Sequence, residues 1–287
     1  MPTPTGQDSI PIRFTHAQRL AVGHLLPEFA ERLLLDCKNQ RTLTFSREEL
    51  SSVERLGDRR GDLPANVRPH VVRNVAYLAR KALEQFEIDE RVRTSAVVFR
   101  FKLTLLETKP PIWRRIEVPD GTLDSLHEHI QCAMGWTNSH LHQFVIGGRT
   151  YGDPQLLDDG FEDNEFEDST DIWLSDLFAK VRRPFRFEYQ YDFGDDWRHE
   201  VVLEEIGGKE PGSVYPRCVA GARACPPEDV GGTWGYEHFL EVLQDPRHEE
   251  HEDMLTWAGG KFDSERFDTK KATKLMQKGL PNWRDML

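Results

Sequence analysis

The stretch YQYDFGDDWRHEV, residues 189–201, places Asp192, Asp195, Asp196 and His199 within eight positions. Carboxylates beside an imidazole suit a hard or borderline divalent cation, or a general acid–base pair. His140 and His142, alternate residues in HLHQFV, share one face if that segment is a strand, and they would complete such a site. A hairpin closing at Gly194 would bring Asp192 and His199 together across the turn. The same residues also read as plain turn chemistry, because glycine permits positive φ and aspartate bonds its own backbone. The sequence leaves both readings open: a metal or acid–base cluster, and a structural turn.

Three other groups could do chemistry. Cys218 and Cys225 are seven apart in CVAGARAC, wider than the usual C-x₂₋₄-C zinc pair, so they are candidates for a structural metal or simply loop thiols. In CPPEDVGGTWGYEHFLEVL, Gly231 and Gly232 open a helix whose N-terminus could receive an anion, but Glu228 and Asp229 would repel a phosphate. The sequence has no P-loop there, and a structural cap is the competing reading. The acidic run 152–171 lacks the ordered spacing of a calcium loop and reads as a solvated loop. HEEHE, with histidines three apart, fails the i, i+4 pattern of zinc proteases. Neither a G-x-S-x-G elbow nor a Cys–His nucleophile signature is found.

The elements that must position these groups fall into two classes. Residues 1–92 read as helical: Thr15/Gln18 and Ser46/Glu49 form capping boxes, Phe45 and Leu50 have the spacing of a staple, and a third helix is predicted over 66–87. Pro27 should kink or divide the first helix. From about residue 93 strands dominate. AVVFRFKLTLLE alternates Phe99, Phe101, Leu103 and Leu105, IWRRIEV returns, and RPFRFEYQYDFGDDWRHEVVLEEI reads as a hairpin. Its aromatics Phe185, Phe187, Tyr189, Tyr191 and Phe193 are predicted on one face. TLDSLHEHIQCAMGW is a helix ending near Gly135, and the region after 234 is mostly helical, with Asp245-Pro246 as a helix start. Strands grouped without regular βαβ alternation predict an α+β fold: a mainly antiparallel sheet with packed helices over 93–287, preceded by a small helical region.

The 287 residues carry a net charge of -12, unevenly spread. Residues 1–95 hold 15 Lys+Arg against 13 Asp+Glu, and the remainder 22 against 36, a net of -14. Phosphate backbones are gripped by basic surfaces, so a protein partner is expected, with nucleic acid admissible only through the N-terminal region. No apolar run approaches the roughly eighteen residues of a membrane span, and the N-terminus lacks a signal-peptide pattern. Four cysteines are too few for a disulfide scaffold at this length. A cytoplasmic protein without membrane contact is the expectation.

IWRRIEVP, GWTNSHLHQF, YDFGDDWRHEV and CPPEDVGGTWGYEHFLEVLQDPRHEEH, in that order, resemble the plasmid pRiA4b ORF-3-like family, also described as insertion-element passenger, TnpR-like proteins. The resemblance spans roughly residues 96–270. It implies an α+β domain found in plasmids, transposable elements and chromosomes, with no established reaction. The expected function is therefore an accessory or binding protein, possible links to mobile DNA included. The alternative is a metal-dependent hydrolase or nuclease using the Asp/His cluster and a divalent ion.

Overall fold

The computed structural model describes residues 10–29, 33, 42–58, 63–64, 67–153 and 166–280. The chain divides into two compact units, Met1–Thr94 and Ser95–Leu287. In the first, β1 (Ile10–Arg13) leads into α1 (His16–Leu25). Thr15 caps α1: its Oγ1 accepts from Gln18 N at 3.3 Å, and Gln18 Oε1 accepts from Thr15 N at 2.7 Å. Pro27 follows the helix and starts a 3₁₀ turn, Pro27–Phe29, because it cannot continue an α-helical ladder. β2 (Thr42–Phe45) pairs antiparallel with β1, Ile10 opposite Phe45. Ser46 and Glu49 close the second capping box on α2 (Arg47–Glu54), and α3 (Pro69–Thr94) lays Val75, Ala79 and Leu83 into a core with Phe14, Phe29, Phe45 and Leu50.

The expected helical region is present, and two details of it differ. β1 and β2 add a ribbon, whose four-residue strands are too short to show a period. The third helix starts at Pro69 rather than 66 and runs on to Thr94. Proline suits the first helical position, where its missing N–H is not needed.

The second unit is built on an eight-stranded sheet. Its elements are β3 (Val97–Leu105), β4 (Trp113–Pro119), α4 (Leu123–Met134), β5 (His142–Ile146), β6 (Arg149–Gly152), β7 (Phe166–Asp168), α5 (Leu174–Phe178), β8 (Phe185–Tyr191), β9 (Trp197–Gly208), β10 (Arg217–Ala222), α6 (Gly232–Gln244), α7 (His251–Trp257) and α8 (Thr269–Lys278). The strand order is β10-β4-β3-β9-β8-β5-β6-β7, and every neighbouring pair is antiparallel except β6 with β7. The fold is α+β, with the mainly antiparallel sheet that the alternation predicted.

That alternation sorts the two faces. Phe99, Phe101, Leu103, Phe144, Phe187 and Tyr189 join Leu123, Leu126 and Ile130 of α4 in one buried core. Each large side chain so buried stabilises the fold by about 1.5–3 kcal/mol. The opposite face carries ion pairs, Arg100–Glu117 at 2.7 Å and Arg115–Glu204 at 2.7 Å among them. Phe193 departs from the predicted aromatic face: β8 stops at Tyr191, and Phe193 lies half-exposed in the turn. Asp245-Pro246 does not start a helix. Asp245 Oδ1 accepts from Arg247 N at 3.0 Å in a local turn, and α7 begins at His251. Residues 154–165, most of the acidic run, lie outside the described residues. No helix among the described residues is long and apolar enough to cross a membrane.

Candidate metal centre

Three segments meet at one end of β5 and β8. The first is the loop 136–141 after α4, which ends at Gly135 in the left-handed region (φ 104°) that glycine adopts without strain. The second is the β8–β9 turn, 192–196, and the third is the loop 225–231 before α6. Trp136 ties the first to the third through Nε1 donating to Pro226 O at 3.1 Å, and its ring lies 4.9 Å from Tyr191.

His140 Nε2 lies 3.0 Å from Asp229 Oδ1, 3.5 Å from Asp192 Oδ2 and 3.9 Å from Glu228 Oε2. This nitrogen is sealed from solvent, yet no carboxylate meets it with hydrogen-bond geometry. The ligand atoms of His140, Asp192 and Asp229 are all within 4.8 Å of one another. Ligands about 2.1 Å from a common ion stand roughly 3–4 Å apart, so two of the three separations already suit one. Asp192 is buried while Asp229 is 69% exposed, which leaves one side of the cluster open.

Local chemistry explains the placement of each side chain. Asp192 has φ 57°, a conformation aspartate tolerates better than most residues, and its Oδ1 accepts from Gly194 N at 2.9 Å and Asp195 N at 3.3 Å. Oδ1 thus closes the turn, and Oδ2 is left facing His140. Glu228 is fixed by Thr137, whose N donates to Oε1 at 2.7 Å and whose Oγ1 donates at 3.1 Å, and by the Tyr191 hydroxyl at 3.2 Å. Burial, then the Glu228 charge, push the Tyr191 phenol well above its usual range, so it stays a donor. Beneath the loop, Asn138 Oδ1 accepts from His127 Nε2 at 2.7 Å, and Asn138 N donates to Gln131 Oε1 at 3.2 Å.

The structure brings together only part of the predicted cluster. His140, Asp192, Glu228 and Asp229 converge, but His142 and His199 do not join them. His142 opens β5, is buried, and stacks on His127 with ring centroids 3.4 Å apart. His140 precedes the strand, so the two histidines do not share a strand face as expected. His199 pairs with Tyr189 in the ladder, not with Asp192. Its Nδ1 lies 3.1 Å from Trp197 O and 3.3 Å from Tyr189 O, which only accept, so Nδ1 carries the proton. Burial lowers the His199 pKa to about 4.

The remaining candidates have structural partners. Asp196 Oδ1 accepts from Gln190 Nε2 at 2.6 Å, and its Oδ2 lies 3.3 Å from Arg198 Nε. Asp195 Oδ2 accepts from Gly231 N at 3.1 Å, so the head of α6 already holds a carboxylate where an anion was conceivable. Gly232 (φ 68°) is required there, since a Cβ would sit 2.6 Å from Asp195 O. Cys218 and Cys225 gain no third metal-type ligand among the described residues. Burial raises both thiols, Cys218 to about 11, with the neighbouring Arg114 charge opposing the shift. Sequence reasoning missed Thr137, Asn138 and Tyr191. The Thr-Asn-Ser run after a helix-ending glycine was the available signal, since such residues order loops through side chain–backbone bonds.

The family model described as plasmid pRiA4b ORF-3-like protein matches residues 97–271, a span holding all three converging segments. The chain belongs to the plasmid pRiA4b ORF-3-like family. Within it, the uncharacterised protein y4hQ of Sinorhizobium fredii (strain NBRC 101917 / NGR234) is 38% identical over 193 residues, 66% of this chain and 95% of the relative. A protein of unknown function from Methanosarcina mazei Go1, known from its crystal structure, is 40% identical with a TM-score of 0.55, covering 62% of this chain and 98% of its own. Both likenesses leave about a third of this chain unmatched, and neither name states an activity.

Proposed function

We propose that the pRiA4b ORF-3-like domain binds a borderline divalent cation, such as zinc or manganese, through His140, Asp192 and Asp229. The supporting observation is the solvent-sealed His140 Nε2, set among three carboxylates without a hydrogen bond to any. A mixed nitrogen and oxygen donor set favours such an ion over calcium, which takes oxygen ligands. Three protein ligands with one open side is the pattern of catalytic rather than structural sites. An ion held there would supply Lewis-acid chemistry and a water of lowered pKa. Glu228, its carboxylate held by Tyr191 and Thr137 and its Oε2 3.9 Å from His140 Nε2, would be the proton acceptor at the site. This arrangement supports the metal-dependent hydrolase reading over a purely passive binding module.

Asp192→Asn is the sharpest test. Asparagine also tolerates φ near +57° and keeps an oxygen for the Gly194 and Asp195 amides, so the turn survives and the ligand charge is lost. Calorimetric titration with zinc or manganese should show one site per wild-type chain and an affinity about tenfold or more weaker in the variant. Wild-type protein that binds neither ion, or a variant that binds equally well, would refute the proposal.

A further inference from the structure

A second feature lies beside the metal cluster and does not depend on it. An open groove of about 490 Å³ is lined by Glu107, Asp195, Asp196, Glu237, Trp234 and the Gly231–Thr233 backbone segment. Trp234 is 80% exposed on the first turn of α6, an unusual position for the largest apolar side chain. Its indole is stacked only loosely on His238, with centroids 6.4 Å apart. Four carboxylates line the groove and, among the described residues, no lysine or arginine does. Arg198 at its edge pairs with Glu107 at 3.2 Å and Asp196 at 3.3 Å, leaving the lining negative on balance. Glu237, one of the four, is exposed one turn along α6 from Trp234.

We propose that this groove docks an arginine-bearing extended segment of a partner protein, with the guanidinium over the Trp234 ring and paired to Glu237. An indole face attracts a cation through its quadrupole, and a planar guanidinium both stacks on the ring and forks onto a carboxylate. A nucleic-acid strand would meet carboxylates in the groove and a net charge of -14 over residues 96–287. Charge complementarity therefore selects a basic peptide.

The test uses the intact chain, fluorescence anisotropy and a labelled peptide of alternating glycine and arginine, in 0.15 M salt with a chelator present. The chelator makes the outcome independent of the metal proposal. Trp234→Ala should weaken binding roughly threefold to thirtyfold, the range of one cation–π contact. Trp234→Phe, which keeps an aromatic face, should recover most of it, and Glu237→Gln should also weaken binding. Asp171→Asn, an exposed charge that does not line the groove, should leave it unchanged. Trp234 is so exposed that its replacement leaves the core intact, and a matching melting temperature checks this. The proposal fails if the peptide does not bind, if Trp234→Ala binds like wild type, if Asp171→Asn weakens binding as much, or if a labelled oligonucleotide binds more tightly.

Discussion

At the scale of single residues, the site depends on groups that serve the backbone and the cavity at once. Asp192 closes a turn with Oδ1 and faces His140 with Oδ2, so the two readings of this residue are compatible rather than rival. His199 does the opposite: it belongs to the core. Its folded pKa of about 4 lies below the ordinary 6.5, so between these values the unfolded chain binds the additional proton. Stability from this group is complete above pH 6.5 and falls as pH drops toward 4, by roughly 3 kcal/mol in all. His199→Phe should therefore flatten the fall in denaturation midpoint between pH 6.5 and 4.5 relative to wild type; parallel curves would contradict the assignment. The residue types at the site were legible in the sequence, but their grouping was not. Asp192 and His199 looked like partners because they flank one turn, whereas the ladder aligns His199 with Tyr189 and turns its ring inward.

At the scale of elements, the legible parts were those specified locally. Capping boxes at Thr15 and Ser46, the glycine stop after α4 and the β8–β9 hairpin each depend on residues a few positions apart. The β1–β2 ribbon escaped because its strands are joined across some thirty residues and are too short to display a period. The loop 225–231 was legible as a candidate anion site or helix cap but not as a source of cation ligands beside His140 and Asp192, because its position is set by contacts with the distant Thr137 and Asp195. Gly235 controls its path: a Cβ there would collide with the Val230 carbonyl. Gly235→Ala should lower stability by about 1–3 kcal/mol, as overpacking does, and also weaken metal binding by displacing Glu228 and Asp229. Thermal melting and metal titration on the same sample check both effects; a variant equal to wild type in both would show that the loop does not need this close approach.

At the scale of the whole molecule, the proposed ligands come from parts of the chain far apart in sequence, joined by the sheet and by the hydrogen bonds that dock the 225–231 loop. Strand order puts β5 beside β8, and α6 returns to the β8–β9 turn, so residues near 140, 192 and 229 meet although no short motif announces them. The sequence therefore carries no compact metal motif, whereas the longer family signature is plain in it. The negative charge of the family domain also fits a cation as ligand and a basic segment as partner better than a nucleic-acid backbone. The most direct test of the central proposal is anomalous diffraction from a crystal of the protein soaked in zinc or manganese. One strong peak is expected at coordination distance, about 2.0–2.2 Å, from His140 Nε2, Asp192 Oδ2 and Asp229 Oδ1. No peak there, or a dominant peak at Cys218 and Cys225 instead, would contradict the proposal.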